Sequence, residues 1–253
     1  MTGRSTAAWR TASAVVTGAA MIGTPLAAPR GAIRRVLASV VVTGLGSTTL
    51  AATTSRWGAR RALASLAVVA TGTGVLERVG TQSGRPFGAY GYSGALRPEV
   101  AGVPAIVPVA WFAMAVPARE AAHGALGRRS SALGRVVVGA AALTAWDLFL
   151  DPQMVGEGYW RWERGGRYRG IPWTNFAGWF LASTVLMGAL EVALPVDRPD
   201  PDPTLVAEYG AMSVMETLGF AAFFRDRLVA VVGGAAMLPI AGAALWRCRW
   251  RGR

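Results

Sequence analysis

Two carboxylates, Asp147 and Asp151, stand four residues apart in the run Trp146-Asp147-Leu148-Phe149-Leu150-Asp151-Pro152. On a helix that spacing places both on one face, one turn apart. A third acid, Glu77, ends another apolar run. An ionisable group inside such a run is costly and points to function. Burial favours the neutral form of a carboxyl, which suits a general acid. The plainer alternative is a structural partnership with a nearby Arg or Trp N–H. Glu120 and Glu191 lie nearer the ends of their runs and read as structural.

Aromatic residues gather close by. Trp146, Phe149, Tyr159, Trp160, Trp162, Tyr168, Trp173, Phe176, Trp179 and Phe180 all fall within 35 residues, against 9% aromatics in the whole chain. The plain reading is an interfacial belt, where Trp and Tyr anchor span ends. An aromatic-lined pocket is the sharper reading, because ring faces attract a cation, including a transient carbocation.

The elements that position these groups are apolar. The chain has 253 residues, 53% hydrophobic and 16% charged, with a formal net charge of +12 carried by 26 basic residues, all Arg. The arginines punctuate apolar runs and form no single stripe, so the charge fits a membrane protein and not a nucleic-acid binder. One Cys (Cys248) and one His (His123) exclude an intramolecular disulfide, a Cys cluster and a multi-His metal site. His123 falls in an Arg-rich, loop-like stretch and reads as a surface residue.

A membrane span needs about 20 mostly apolar residues. Runs of this kind occur at 12–29, 36–54, 62–77, 101–119, 134–150, 175–194, 205–224 and 227–246. They predict an all-α, polytopic transmembrane bundle of seven or eight spans, with residues 1–253 as a single membrane-embedded domain. The first run ends in Pro25-Leu26-Ala27-Ala28, which also resembles a signal-peptide cleavage region. The seventh carries Glu208 and Glu216, so one of its sides must face protein or water. The arginines divide almost evenly between the two sides and do not fix the orientation.

Two connectors are long and mix Gly, Pro, aromatics and charge: residues 78–100 and 151–174. Long loops of this type often carry function. One follows the third span and the other the fifth, so both emerge on the same side. They are expected to pack together and roof a cavity.

These residues also carry a resemblance. The blocks are Glu77…Gly84-Arg85-Pro86-Phe87-Gly88-Ala89-Tyr90-Gly91-Tyr92, Gly102-Val103-Pro104…Pro108…Trp111, Trp146-Asp147…Leu150-Asp151-Pro152…Met154, and Gly170-Ile171-Pro172…Asn175-Phe176…Gly178-Trp179. In that order they resemble the integral-membrane carotenoid biosynthesis family, over about residues 70–195. The family includes carotenoid hydratases acting on gamma-carotene and on bisanhydrobacterioruberin. The resemblance implies hydration of a terminal C=C bond on an acyclic carotenoid end. The substrate would lie in the bilayer, in what is expected to be a bacterial cell membrane. It implies catalytic roles among Asp147, Asp151 and Glu77. Substrate contacts would come from Phe87, Tyr90, Tyr92, Trp111, Trp146, Trp160, Trp162, Asn175, Phe176 and Trp179.

Such a hydration needs a proton donor, a cation-stabilising wall and a base for the attacking water; it requires neither metal nor redox cofactor. Asp147, deeper in its span than Asp151, is the expected donor. Asp151 would hold a water or steady a shared proton.

Two other classes remain open on the residues. Asp147 and Asp151 form D-x-x-x-D, which could hold Mg²⁺ on a diphosphate in a membrane prenyltransferase. The other dense acidic group, Asp197, Asp200 and Asp202, lies in a Pro-rich connector. Gly/Pro-broken segments and intramembrane acids also suit a transporter or a carotenoid-binding scaffold.

Overall fold

The computed structural model describes residues 3–128, 130–196 and 199–250. Asp197 and Arg129 lie outside the described residues. Each expected apolar run is a helix. These are α1 (Gly3–Gly23), α2 (Ala32–Trp57), α3 (Ala59–Ser83), α4 (Ile106–Leu126), α5 (Ala132–Glu157), α6 (Trp173–Ala193), α7 (Pro203–Leu218) and α8 (Arg227–Trp250). A 3-10 turn, Thr24–Leu26, follows α1, and a π-helical turn, Gly219–Phe223, extends α7. The architecture is an all-α bundle.

Among the described residues, five helices are long and apolar enough to cross a membrane: α2, α3, α5, α6 and α8. Their outward side chains are apolar, with Val185 and Val192 70% and 85% exposed. Exposed apolar surface on this scale is suited to lipid. The fourth helix differs. Every residue from Trp111 to Gly124 is buried, so α4 is a central strut enclosed by its neighbours.

Proline inside these helices removes a backbone donor and frees the carbonyl four residues earlier. At two of these prolines a side chain takes over that bond. Pro117 frees Ala113 O, which accepts from Thr49 Oγ1 at 3.2 Å. Pro152 frees Leu148 O, which accepts from Tyr168 Oη at 2.8 Å. Tyr168 thereby braces α5 one residue beyond Asp147.

The long connectors contain short strands that the sequence reading did not anticipate. In the first, β1 is Tyr90–Tyr92, β2 is Glu99–Val100 and β3 is Val103–Pro104; in the second, β4 is Trp160–Trp162. β2 and β3 pair with each other. β1 and β4 pair antiparallel across the two connectors, with Tyr90 opposite Trp162, Gly91 opposite Arg161 and Tyr92 opposite Trp160. The two connectors therefore do meet at one end of the bundle.

His123 is not a surface residue. It is 2% exposed, inside α4. The helix runs on past the charged Arg119-Glu120 pair because those charges are neutralised internally. Arg119 Nη1 meets Glu120 Oε1 at 2.6 Å, and Arg119 Nε meets Glu191 Oε1 at 3.0 Å. Arg135 Nη2 reaches Glu191 Oε2 at 2.5 Å, and Arg56 Nη1 lies 3.9 Å from Glu120 Oε2. Glu120 and Glu191 are thus structural, as expected.

Candidate active site

The β1–β4 ribbon is a roof because its sequence alternates. In a strand, successive side chains face opposite sides. Tyr90, Tyr92, Trp160 and Trp162 turn inward, while Gly91 and Arg161 are exposed. Opposed rings touch: Tyr90 and Trp162 have centroids 5.6 Å apart, and Tyr92 meets Trp160 edge-on at 5.7 Å. Trp162 Nε1 donates to Phe87 O at 3.0 Å, tying β4 to the first connector.

The turn into that connector depends on two glycines. Gly84 ends α3 with φ +70, a left-handed conformation that favours glycine. Gly178 lets α6 touch the connector backbone: a Cβ there would come within 2.8 Å of Pro86 O. This approach inserts Phe87, 2% exposed, under the roof.

Beneath the roof is a cavity of about 100 Å³. Glu77 comes from α3, Trp111 from α4, Trp146 and Asp151 from α5, and Asn175 and Trp179 from α6; Phe87 and the four ribbon rings complete the aromatic wall. Trp111 and Trp179 stack at 3.8 Å with an interplanar angle of 8°, and Trp146 meets Trp179 edge-on at 6.2 Å. Such ring pairs add about 0.5–1.5 kcal/mol beyond their burial.

The donors that meet these acids are neutral. Glu77 Oε2 accepts from the hydroxyls of Tyr90 and Tyr92, the latter at 2.6 Å. Its Oε1 accepts from Trp111 Nε1 at 3.1 Å. Burial, reinforced by the nearby Glu77, pushes both phenols above their ordinary pKa, so both remain protonated donors. Asn175 Nδ2 donates to Asp147 Oδ2 at 2.9 Å and to Asp151 Oδ2 at 2.5 Å. Trp160 Nε1 donates to Asp151 Oδ1 at 3.1 Å. Asp147 Oδ1 has no hydrogen-bond partner. None of the salt bridges among the described residues involves Glu77, Asp147 or Asp151.

Two expected site residues stand back from the cavity wall. Asp147, 0% exposed, lies one turn from Asp151 and touches the site through Asn175. Phe176 packs edge-on against Tyr168 at 5.6 Å. One residue of helix turns it about 100° away from Asn175, while Trp179, four residues on, shares Asn175's face. The sequence reading missed several wall residues. Ala38, Ser39 and Val42 of α2 carry no chemical signal; Tyr159 and Met154 lay within the singled-out stretches but were not assigned.

A second cavity, of about 380 Å³, adjoins the first. The two share Ala38, Val42, Ala110, Trp146, Leu150 and Met154. Its walls are almost wholly apolar, with Glu216 and Gln153 among the few polar groups. Glu208, the other acid of α7, has Oε2 3.1 Å from Thr49 Oγ1 and faces protein.

Together these features define a membrane-type helical bundle with two adjoining cavities, the smaller one lined by buried carboxyl groups. Residues 33–245 match the carotenoid biosynthesis protein family, and the chain belongs to that family. The chain is also similar to a bisanhydrobacterioruberin hydratase from Haloarcula japonica, 37% identical over 112 residues. That match covers 44% of this chain and 38% of the relative. No solved structure matches the chain.

Proposed function

We propose that the protein is a carotenoid hydratase, adding water across a terminal C=C bond of an acyclic carotenoid end. The observation that carries this reading is the contrast between the carboxyl groups under one aromatic roof. Glu77 has three donors to solvate a negative charge. Asp147 and Asp151 share one amide nitrogen and one indole N–H, too few donors for two buried charges. Like charges so placed hold a proton between them. The resemblance to a hydratase supports the same chemistry.

The polyene would lie along the larger apolar cavity and present its end to the smaller one. Asp151, in the wall, delivers the proton to the less substituted alkene carbon, and Asp147 behind it steadies the shared proton. This exchanges the two roles that depth in the span alone suggests. The resulting tertiary cation faces the Trp111–Trp179 stack and Trp146. Water attacks the cation and its proton passes to Glu77. The carbon skeleton gains one H and one OH, and solvent returns the proton from Glu77 to the aspartate pair.

The D-x-x-x-D alternative would have to displace bonds already made, because Asn175 Nδ2 donates to both Asp147 Oδ2 and Asp151 Oδ2. Asp202 caps α7 through Thr204 N and Leu205 N, at 2.9 and 3.2 Å.

The test is expression in a host that makes an acyclic-ended carotenoid, followed by mass analysis of the pigments. A product heavier by one water is expected. Unchanged pigments with the protein present in the membrane would overturn the reading and favour a scaffold or transporter.

A further inference from the structure

Hydration sets a problem of supply. The cavity is walled mostly by aromatic and apolar side chains, and the polyene would occupy its apolar side. Water must come from elsewhere, and the ribbon has a polar outer face. A depression open to solvent lies there, lined by Arg30, Arg35, Arg161, Glu157 and Glu163. Glu157 is held in place by Arg34 Nη1 at 2.7 Å and by the Arg30 N–H at 2.9 Å.

Five residues line both the depression and the cavity: Tyr90, Tyr92, Tyr159, Trp160 and Trp162. They form the partition between them. Four have committed their polar atoms. Tyr90 and Tyr92 donate to Glu77, Trp160 to Asp151 and Trp162 to Phe87 O. The hydroxyl of Tyr159 is buried and has no partner. Tyr159 is 3% exposed, and its backbone is fixed on both sides: its N–H donates to Met154 O at 2.9 Å and its carbonyl accepts from Ser93 N at 2.9 Å. A buried phenol is normally hydrogen-bonded, and leaving it unpaired is costly.

We propose that water reaches the cavity through this partition and is bound there by the Tyr159 hydroxyl before it attacks the carbocation. This rests on the hydratase reading above. Tyr159 then touches the second substrate, water, and takes no part in protonating the first. The bond formed is C–O, and the water proton leaves to the Glu77 carboxylate as before.

A cation deprived of water has one easy alternative. It sheds a proton to a carboxylate of the site, either the original hydrogen of the carbon just protonated, which regenerates the alkene, or a methyl hydrogen, which gives the terminal-methylene isomer. In deuterium oxide either loss leaves deuterium in the unhydrated carotenoid, whereas return of the deuteron just added leaves none. The experiment compares detergent-purified wild type, Tyr159→Phe, Tyr159→Leu and Asp151→Asn on an acyclic-ended carotenoid in deuterium oxide. Hydrated product and deuterium in the unhydrated carotenoid, isomer included, are both measured.

Both Tyr159 variants are expected to lose hydration about tenfold, the scale of one lost hydrogen bond. Deuterium incorporation per hydration event should rise by a similar factor, and the retained exchange reports an intact acid site. Asp151→Asn should lose both. An unchanged ratio of exchange to hydration in both Tyr159 variants, at full or reduced rate, would overturn the proposal for Tyr159. Retention of both activities in Asp151→Asn would instead overturn the acid assignment on which it rests.

Discussion

Two groups of buried acids, one towards each end of the bundle, are held in opposite ways. At the end where α4 finishes, Glu120 and Glu191 are met by Arg119, Arg56 and Arg135. Glu120 Oε2 also accepts from Asp202 N at 2.6 Å. At the roofed end Glu77, Asp147 and Asp151 meet only Tyr, Trp and Asn donors. A charge locked to a guanidinium has no reason to exchange a proton, because breaking a buried pair leaves an uncompensated ion. A carboxyl held by neutral donors can be charged or neutral at modest cost, which is what acid–base catalysis requires. The difference separates buried acids that hold the fold from buried acids available for chemistry.

Substitutions at the two ends should therefore fail in different ways. The largest effect is expected at Asp151. Asp151→Asn keeps shape and hydrogen bonding but removes the acid, so hydration should fall by about 10²–10⁴-fold. Thermal stability in detergent should stay near that of wild type. A comparable loss of stability would place Asp151 with the structural acids.

Arg119→Leu should do the reverse. It leaves Glu120 and Glu191 short of a cation, at a cost of about 3–5 kcal/mol in stability. Hydration per folded molecule, measured on the soluble fraction after mild heating, should be unchanged.

A smaller effect belongs to Gly178→Ala. The added Cβ meets connector backbone at Pro86, so the roof must lift, at roughly 1–3 kcal/mol. Hydration should decline with it, since Phe87 and Trp162 move together. The smallest effect is at Arg128, whose pair with Asp200 at 3.0 Å leaves the two side chains 54% and 44% exposed. Arg128→Ala should change stability by less than about 1 kcal/mol and leave hydration unaltered.

The helices were legible because apolar run length is a one-dimensional signal, and all eight runs found their helices. The span parity was legible for the same reason: the connectors at 78–100 and 151–174 do meet. The strands were hidden. Tyr-Gly-Tyr and Trp-Arg-Trp alternate with period two, but over three residues, shorter than the runs of about 4–8 on which strand patterns are recognised. Without the ribbon, nothing showed that Tyr90 and Tyr92 would turn onto Glu77.

Rotation about a helix axis was the other blind spot. Depth in the span favoured Asp147 as the donor, yet the cavity wall includes Asp151 and leaves Asp147 behind it. Phe176 counted with the aromatic cluster, yet its helix face turns it to Tyr168. His123 was misread because Arg119 and Glu120 look like the end of a span; their counter-charges lie on α2, α5 and α6, far away in sequence.

The central claim is that unpaired buried carboxyls add solvent water to an alkene. Turnover in heavy-oxygen water and, separately, in deuterium oxide tests it most directly. The detergent-purified protein should place a solvent oxygen on the tertiary carbon and one solvent deuterium on its neighbour, with both labels lost in Asp151→Asn. A product lacking the solvent oxygen, or one formed equally well by Asp151→Asn, would contradict it.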